Sequence, residues 1–313
     1  MSLTPFHTVR LATHAMATRF ELVLQGPDAI ALRSAGEEAI REIDRIGRRF
    51  SFYDPKSELS RINSHAWNSP ISVAGDLFEL LQLCSEIYCQ SDGYFDPTVG
   101  PLMRLWNFGP DSRELPTSND IRDALEQTGW DHVELNERDR TVRLLRKGVL
   151  LDLGGIAKGW ALDEAAFLLL DAGVPAGLLH GGTSSIRALG ILPSEQAWHI
   201  GIEDPYTNDS TWFTSHSLTD SALSVSAIAG KQITVDHIEY GHILDPKTGN
   251  AVSGPLVAVA SSPSAAVADA WSTAVLASAG QSRECDEPLS HIPDLHSWLY
   301  KKENSSWKNV RET

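Results

Sequence analysis

The order of helical and strand-like patterns is the feature that most constrains the fold of this chain. Apolar residues recur every three or four positions from about Asp28 to Phe50 and again from Asp76 to Gln90, which predicts two amphipathic helices. Short strand-like segments are concentrated between residues 177 and 260. Because helices and strands do not alternate regularly, the pattern predicts an α+β fold with mixed or antiparallel sheets and packed helices, not a doubly wound parallel sheet.

Composition limits the class of protein and its partners. The 313 residues are 42% hydrophobic, and 26 basic against 41 acidic side chains give a formal net charge of -15. No window supplies the roughly 18 uninterrupted apolar residues of a membrane span, so the sequence predicts a folded protein without one. An acidic surface repels phosphate backbones and anionic lipids, which argues against nucleic acid or membrane as the main partner.

The cysteines and the first residues bear on the compartment. Cys84, Cys89 and Cys285 form no CxxC pair, so the sequence indicates neither a disulfide framework nor a zinc site. The first twenty residues lack a basic head followed by an apolar run, and they contain no cysteine that could carry a lipid. We therefore expect a cytoplasmic protein, or an exported one if a leader has been removed.

The segment LLDLGGIAKGWALD, residues 150–163, is the sharpest local signal. It predicts a short strand, Leu150–Leu153, that passes through a glycine turn into a helix. Free backbone N–H groups, the helix dipole and Lys158 would then surround one point, which suits a phosphate. The same turn is also typical of a simple tight connection, and its spacing matches neither a Walker A loop nor GxGxxG. Asp152, inside the apolar run, needs a partner, either a donor from a ligand or a metal.

A second signal is AAVADAWSTAVLA, residues 265–277. Asp269 and Thr273 are four positions apart, so a helix places both side chains on one face. An ionised Asp among small apolar residues is costly unless it is paired or bound to a cation, and an all-oxygen ligand set prefers Mg²⁺. The structural alternative pairs Asp269 with an arginine and lets Thr273 bond back to the helix carbonyls.

Weaker signals lie elsewhere. His242 precedes the turn-forming sequence DPKTG within residues 240–249, where it could transfer a proton or be structural. Tyr53, in FYDPKSELSRIN, could stack on a ring. The Tyr94-Phe95-Asp96 segment adds aromatic side chains, which at such positions are also typical of a core.

Together, these motifs resemble the ApbE family, the FAD:protein FMN transferases. The motifs, in chain order, are Met16-Ala17-Thr18, FYDPKSELSRIN, GYFDPTVGPLMRLW, LDLGGIAKGWALD, HILDPKTG and ADAWSTA. The resemblance implies a single α+β ApbE-like domain over residues 16–280, between an N-terminal extension (1–15) and a C-terminal tail (281–313). It also implies a Mg²⁺-dependent enzyme that transfers FMN from FAD to a Thr or Ser hydroxyl of an acceptor protein and releases AMP.

The resemblance also implies roles for individual residues. Asp269 and Thr273 side chains, with the backbone carbonyl of Gly155, would hold the metal, and His242 would assist proton transfer beside Asp269. The positions that resemble FAD contacts are Met16, Tyr53, Tyr94, Phe95, Asp96, Asp152, Lys158 and Ile243.

This sequence departs from the family pattern at several places. Ala17 stands where the family usually has glycine. His180 stands where Asn is common, and Thr183 stands where Asp or Asn is common. The usual Ser-Gly pattern after Ser226 is missing.

Two other functions stay open. The same site could serve an FAD pyrophosphatase that yields FMN and AMP. It could also belong to a flavin-binding or carrier protein without turnover.

Overall fold

The fold combines one large antiparallel sheet with helices packed against it. The computed structural model describes residues 6–108, 114–191, 196–207, 211–229, 232–235, 238–280 and 292–313. The α-helices within these ranges are α1 (Ala29–Arg49), α2 (Glu58–His65), α3 (Gly75–Gln90), α4 (Gly100–Trp106), α5 (Ser118–Leu125), α6 (Ala157–Asp171) and α7 (Ala265–Ala277). The strands are β1 (His7–Ala15), β2 (Thr18–Gly26), β3 (Ile71–Ser72), β4 (Val133–Asn136), β5 (Thr141–Leu144), β6 (Ala176–Gly181), β7 (Ser185–Leu189), β8 (Trp198–Glu203), β9 (Trp212–Leu218), β10 (Ala222–Ala227), β11 (Gln232–Val235), β12 (Ile238–Leu244), β13 (Ala251–Ser253), β14 (Leu256–Ser262), β15 (His296–Glu303) and β16 (Ser306–Glu312).

The main sheet has eight strands in the order β1-β2-β6-β7-β10-β14-β15-β16. Every neighbouring pair in it is antiparallel. The smaller sheets are β11-β12-β13, β3-β5-β4 and the hairpin β8-β9. The α+β prediction with antiparallel sheets and packed helices is confirmed, because few strand connections pass through a helix and most strands pair with a close neighbour in the chain.

The sheet buries apolar side chains on both faces. On one face, α1, α6 and α7 pack into a large cluster that includes Phe20, Leu22 and Trp271. On the other face, the hairpin β8-β9 covers a smaller cluster that includes Val257 and Tyr300. Because α7 contacts the sheet and α6, its residues are buried nearly all round, and a polar side chain on it must find its partners inside the protein.

Local signals at both ends of α1 explain why this helix follows the predicted boundaries. The Asp28 carboxylate caps it by accepting the N–H groups of Ile30 and Ala31 at 2.9 and 3.1 Å. Two basic residues in its last turn, Arg48 and Arg49, complement the helix dipole. The helix predicted from Asp76 is likewise confirmed as α3.

The predicted strand Leu150–Leu153 is wrong. Leu150 forms only a single parallel bridge with Val99. The backbone of Leu151 instead bonds to the side chain of Asn63, which accepts its N–H at 2.7 Å and donates to its carbonyl at 2.8 Å. Asn63 lies on α2, in a stretch that the sequence pattern describes only as polar and turn-rich. On one side of the segment a side-chain amide thus takes the place of a neighbouring strand, while on the other side Leu150 and Asp152 bond to the backbone of residues 97–100.

Strands of the main sheet also lie outside residues 16–280. The strand β1 precedes Met16 and pairs with β2 along its whole length. Near the other end of the chain, β15 pairs with β14, and β16 pairs with β15. The sheet therefore includes part of the predicted extension and part of the predicted tail. The described residues include no helix with the length and hydropathy needed to cross a lipid bilayer.

Candidate active site

Two segments that are 111 positions apart meet at a charged pair. The ammonium of Lys158, in the first turn of α6, lies 3.2 and 3.3 Å from the two carboxylate oxygens of Asp269 on α7. The same ammonium lies 3.4 Å from the carbonyl oxygen of Gly154 in the glycine turn. The structural alternative predicted an arginine partner for Asp269, and the partner is this lysine instead.

Asp269 is buried among further donors. Its side chain is almost fully enclosed, yet Oδ1 accepts the hydroxyls of Ser185 and Ser224, each at 3.0 Å. Oδ2 accepts the backbone N–H of Gly159 at 3.1 Å. Four donor groups therefore hold one carboxylate, which offsets much of the cost of burying its charge.

Neither serine was predicted from the sequence, although both belong to neighbouring strands of the main sheet. Ser185 begins β7 and pairs directly with Ser224 on β10. Both are buried, in strands whose other residues are mainly apolar. A polar side chain at a core-facing strand position is the signal that could have found them.

Gly155 and Thr273 lie close to each other. A Cβ placed on Gly155 would lie 3.3 Å from Thr273 Oγ1 and 3.5 Å from the ring of Phe95, so no larger residue fits without a shift. The Thr273 hydroxyl donates to the backbone carbonyl of Asp269 at 3.1 Å, as the structural alternative predicted. Because a hydroxyl that donates keeps two lone pairs, this bond does not prevent Thr273 from accepting or binding a cation.

The prediction of free N–H groups in the glycine turn is wrong for most of its backbone. The N–H of Gly154 donates to the Asp152 carboxylate at 2.8 Å, and those of Ile156 and Ala157 donate to the carbonyl of Leu153. A tight turn at the start of α6 satisfies these donors internally. The cationic side chain of Lys158 is therefore the main positive group at this point.

Asp152 and Tyr53 lie near one another at the entrance to the turn. Asp152 is not in a strand. The sequence predicted a ligand donor or a metal as its partner, whereas in the structure its carboxylate accepts the N–H of Gly154. The Tyr53 ring is 80% exposed and contacts Phe52 edge to face, with ring centroids 5.3 Å apart. Partial burial of its hydroxyl, together with the charge of Asp152, raises the pKa of Tyr53.

The segment containing Tyr94, Phe95 and Asp96 is buried. The ammonium of Lys247 lies 4.1 Å from the centre of the Tyr94 ring, which links this segment to the turn after β12. Asp96 accepts the N–H and the hydroxyl of Thr98 at 2.8 and 2.6 Å. Burial raises the pKa of Asp96 to about 6, against the lowering effect of these two bonds.

The remaining predicted residues occupy the hairpin turn and β12. Met16 and Ala17 form the turn between β1 and β2, and both have positive φ angles, 50° and 58°. Met16 lies beside Gly47 of α1. His242 and Ile243 lie on β12, which contacts α7, and Ile243 packs against the main apolar cluster.

One further acid, Asp163, was not predicted from the sequence; it is partly buried and joins the two helices. Asp163 of α6 accepts the Ser264 hydroxyl at 2.7 Å and the N–H groups of Ala265 and Ala266, both at 2.9 Å. These are the donors at the start of α7. Burial raises the pKa of Asp163, although all three bonds favour its charged form.

Comparison with known proteins decides the family. A sequence profile of the ApbE family matches residues 16–284. The chain belongs to the ApbE family. Among its ApbE relatives, the FAD:protein FMN transferase of Chlamydia trachomatis is 33% identical over 253 residues, covering 80% of this chain and 77% of that protein. The protein of the same name from Vibrio cholerae is 28% identical over 260 residues, covering 82% and 76%.

Solved ApbE structures share the fold. The ApbE protein from Thermotoga maritima superimposes with a TM-score of 0.84 at 30% identity, and the match covers 94% of each chain. The flavin transferase ApbE from Vibrio cholerae gives a TM-score of 0.81 at 25% identity, covering 98% of this chain and 97% of the other. The single-domain α+β fold is therefore the ApbE fold.

The donor set of this ApbE site fits a small, hard cation. In the part of the chain that the structure describes, no three His, Cys, Asp or Glu side chains are grouped to hold a metal. The Lys158 ammonium lies near one carboxylate, from Asp269, and one carbonyl, from Gly154, while the carbonyl proposed as a metal ligand is that of the next residue, Gly155. The Thr273 hydroxyl lies one turn from Asp269 on α7. The positive charge of Lys158 thus already lies between α6 and α7. Oxygen ligands of this kind suit Mg²⁺ when water molecules and phosphate oxygens complete its coordination shell.

Proposed function

We propose that this chain is a Mg²⁺-dependent FAD:protein FMN transferase, which moves FMN from FAD to a Thr or Ser hydroxyl of an acceptor protein. One observation carries the proposal. The Lys158 ammonium and the Asp269 carboxylate, from two segments that resemble the family's motifs, are 3.2 Å apart beside a glycine turn. The names of the relatives support the same reaction.

Three groups would hold the metal, namely the Asp269 carboxylate, the Thr273 hydroxyl and the backbone carbonyl of Gly155. When bound there, Mg²⁺ would supply Lewis-acid stabilisation of the charge that develops on the diphosphate oxygens. Asp269 is suited to this role because Ser185 and Ser224 fix its orientation, and a preorganised ligand loses little entropy on binding.

The reaction breaks one phosphorus–oxygen bond and forms another. The acceptor hydroxyl oxygen attacks the phosphorus of the FMN half, the bond from that phosphorus to the bridging oxygen breaks, and AMP leaves with that oxygen. His242 takes the hydroxyl proton in this proposal, and Lys158 holds the phosphate oxygens as a point charge. Because such transfers involve little covalent help from the protein, positioning by these side chains supplies most of the rate.

The flavin and adenosine contacts are also part of the proposal. Tyr53 offers a largely exposed ring on which a flavin or adenine ring can stack. Tyr94 and Phe95 are buried and would act by shaping the wall of the site. The other proposed contacts are Met16, Asp96, Asp152 and Ile243.

A transfer assay tests this function. The protein is incubated with FAD, Mg²⁺ and an acceptor peptide whose Asp-Gly segment ends in Ala-Thr, and the peptide mass is measured. We expect the peptide to gain the mass of FMN while AMP is released, and excess EDTA to stop the reaction. Free FMN and AMP with an unmodified peptide would indicate a pyrophosphatase, and intact FAD after long incubation would indicate a carrier; either result would contradict the proposal.

A further inference from the structure

The Asp269 carboxylate has four donors around its two oxygens, and three of them cannot move easily. The Gly159 N–H belongs to the backbone of α6, and Ser185 and Ser224 are buried side chains on adjacent strands. Only the Lys158 ammonium is carried by a long flexible side chain, which is partly exposed. It is therefore the one donor that can leave without disturbing the fold.

A carboxylate offers about four lone-pair directions for its partners. Ser185, Ser224 and Gly159 use three of them, and the ammonium of Lys158 lies almost equally far from both oxygens, at 3.2 and 3.3 Å. A metal ion that binds Asp269 must take the position now held by this ammonium.

We propose that Lys158 occupies the cation position of Asp269 in the ligand-free enzyme and leaves it when a divalent ion binds. The inference rests on the metal-dependent function proposed above. A divalent ion and an ammonium next to one carboxylate would repel each other strongly in a buried site. The displaced ammonium gains new partners only when anionic oxygens arrive, so an incoming diphosphate should favour the exchange. Lys158 thereby links metal binding to substrate binding.

Metal titration without flavin tests this exchange. We would measure Mn²⁺ binding by isothermal titration calorimetry for the wild-type chain and for Lys158→Met, which keeps most of the length of the side chain and removes its charge. We expect Lys158→Met to bind Mn²⁺ at least tenfold more tightly. The matched control is Lys308→Met, because Lys308 is an exposed lysine on β16 that pairs with Glu303 at 2.9 Å. This variant should bind Mn²⁺ like the wild type.

Two results of this titration would overturn the proposal. One is equal or weaker Mn²⁺ binding by Lys158→Met than by the wild type, and the other is no measurable binding by either protein. Because the titration contains no FAD, it is independent of the transfer assay. An enzyme that transfers no FMN while Lys158→Met binds Mn²⁺ more tightly would contradict the proposed function and retain the exchange.

A second measurement uses the wild-type chain alone, so it does not depend on how a variant folds. The reactivity of the Lys158 amine toward an N-hydroxysuccinimide ester is followed by mass spectrometry with and without Mn²⁺. Release from Asp269 should raise Lys158 labelling several-fold, while labelling of Lys308 stays constant. Unchanged labelling of Lys158 at saturating Mn²⁺ would show that the ion does not displace the ammonium.

Discussion

The carboxylate of Asp163, on α6, accepts the backbone N–H of Ala265, the first residue of α7, at 2.9 Å. With Ser264, the N-cap residue, it satisfies donors that the start of a helix leaves without intrahelical partners. The Asp163 side chain thus fixes the helices that carry Lys158 and Asp269 relative to each other. It lies more than one turn from Lys158 on α6, and it contacts α7 about one turn before Asp269.

We expect Asp163→Ala to lower the free energy of unfolding by about 2 kcal/mol, because it removes a cap and leaves buried N–H groups without an acceptor. Urea unfolding measures the change. The matched control is Asp28→Ala, which removes the exposed cap of α1 and should cost about 1 kcal/mol. Equal costs for the two variants would mean that the link between α6 and α7 has no special role.

The variant Asp269→Asn should lower the transfer rate by about 100-fold or more, the scale for losing one preorganised electrostatic group. It should also lower stability, because an amide presents its own N–H group toward donors such as Ser185 and Ser224. Rates are measured by peptide mass and stability by urea unfolding. The control is Asp171→Asn, which makes the same change of charge at an exposed position at the end of α6. It should change neither the transfer rate nor the stability. Full activity of Asp269→Asn would remove the basis of the proposed site.

Stability should depend on pH through Asp96. Its pKa is about 6 in the folded protein, because the side chain is buried, and about 4 in an unfolded chain. Between these values the folded state binds more protons, so the stabilisation present at low pH is lost as pH rises toward 6, by at most about 3 kcal/mol. Asp96→Asn should remove this contribution. The free energy of unfolding is measured in urea from pH 4 to 7. If Asp96 does not titrate in this range, it will vary with pH in the same way for the wild type and for Asp96→Asn.

The turn at Met16 and Ala17 predicts a stabilising substitution. Both residues have positive φ, which costs a side-chain-bearing residue about 1 kcal/mol or more, and glycine avoids that cost. Ala17→Gly should therefore raise the free energy of unfolding by about 1 kcal/mol. Ala12→Gly, at an exposed position of β1, should lower it, since glycine weakens a strand. A loss of stability in Ala17→Gly would contradict the turn geometry.

The sequence predicted the segments of the site better than the bonds between them. Residues Lys158 and Asp269 stand in motifs that signal chemistry, but periodicity and spacing carry no information about contacts across 111 positions. The resemblance supplied the idea that they converge. Their pairing with each other depends on how α6 and α7 pack, which only the fold determines.

Other features gave weak or misleading signals. The apolar run at Leu150–Leu153 is typical of a strand, yet Asn63, nearly ninety positions away, takes the place of its partner. Ser185 and Ser224 are ordinary residues in strand-like sequence, and their role arises only because both face one buried carboxylate. Tertiary contacts override local propensity at each of these places.

The pairing of β14 with β15 links the candidate site to the last strands of the main sheet. The strand β14 runs directly into α7, so any unit that positions Asp269 needs a well-formed β14. A chain cut at residue 284, where the family match ends, would leave β14 as an open edge and would expose apolar side chains that Tyr300 now covers, such as those of Val257 and Phe213, to water. The segments that carry Lys158 and Asp269 therefore depend on β15 and β16, which contain none of the motifs, and a shortened chain would have to keep this distant hairpin to complete the sheet.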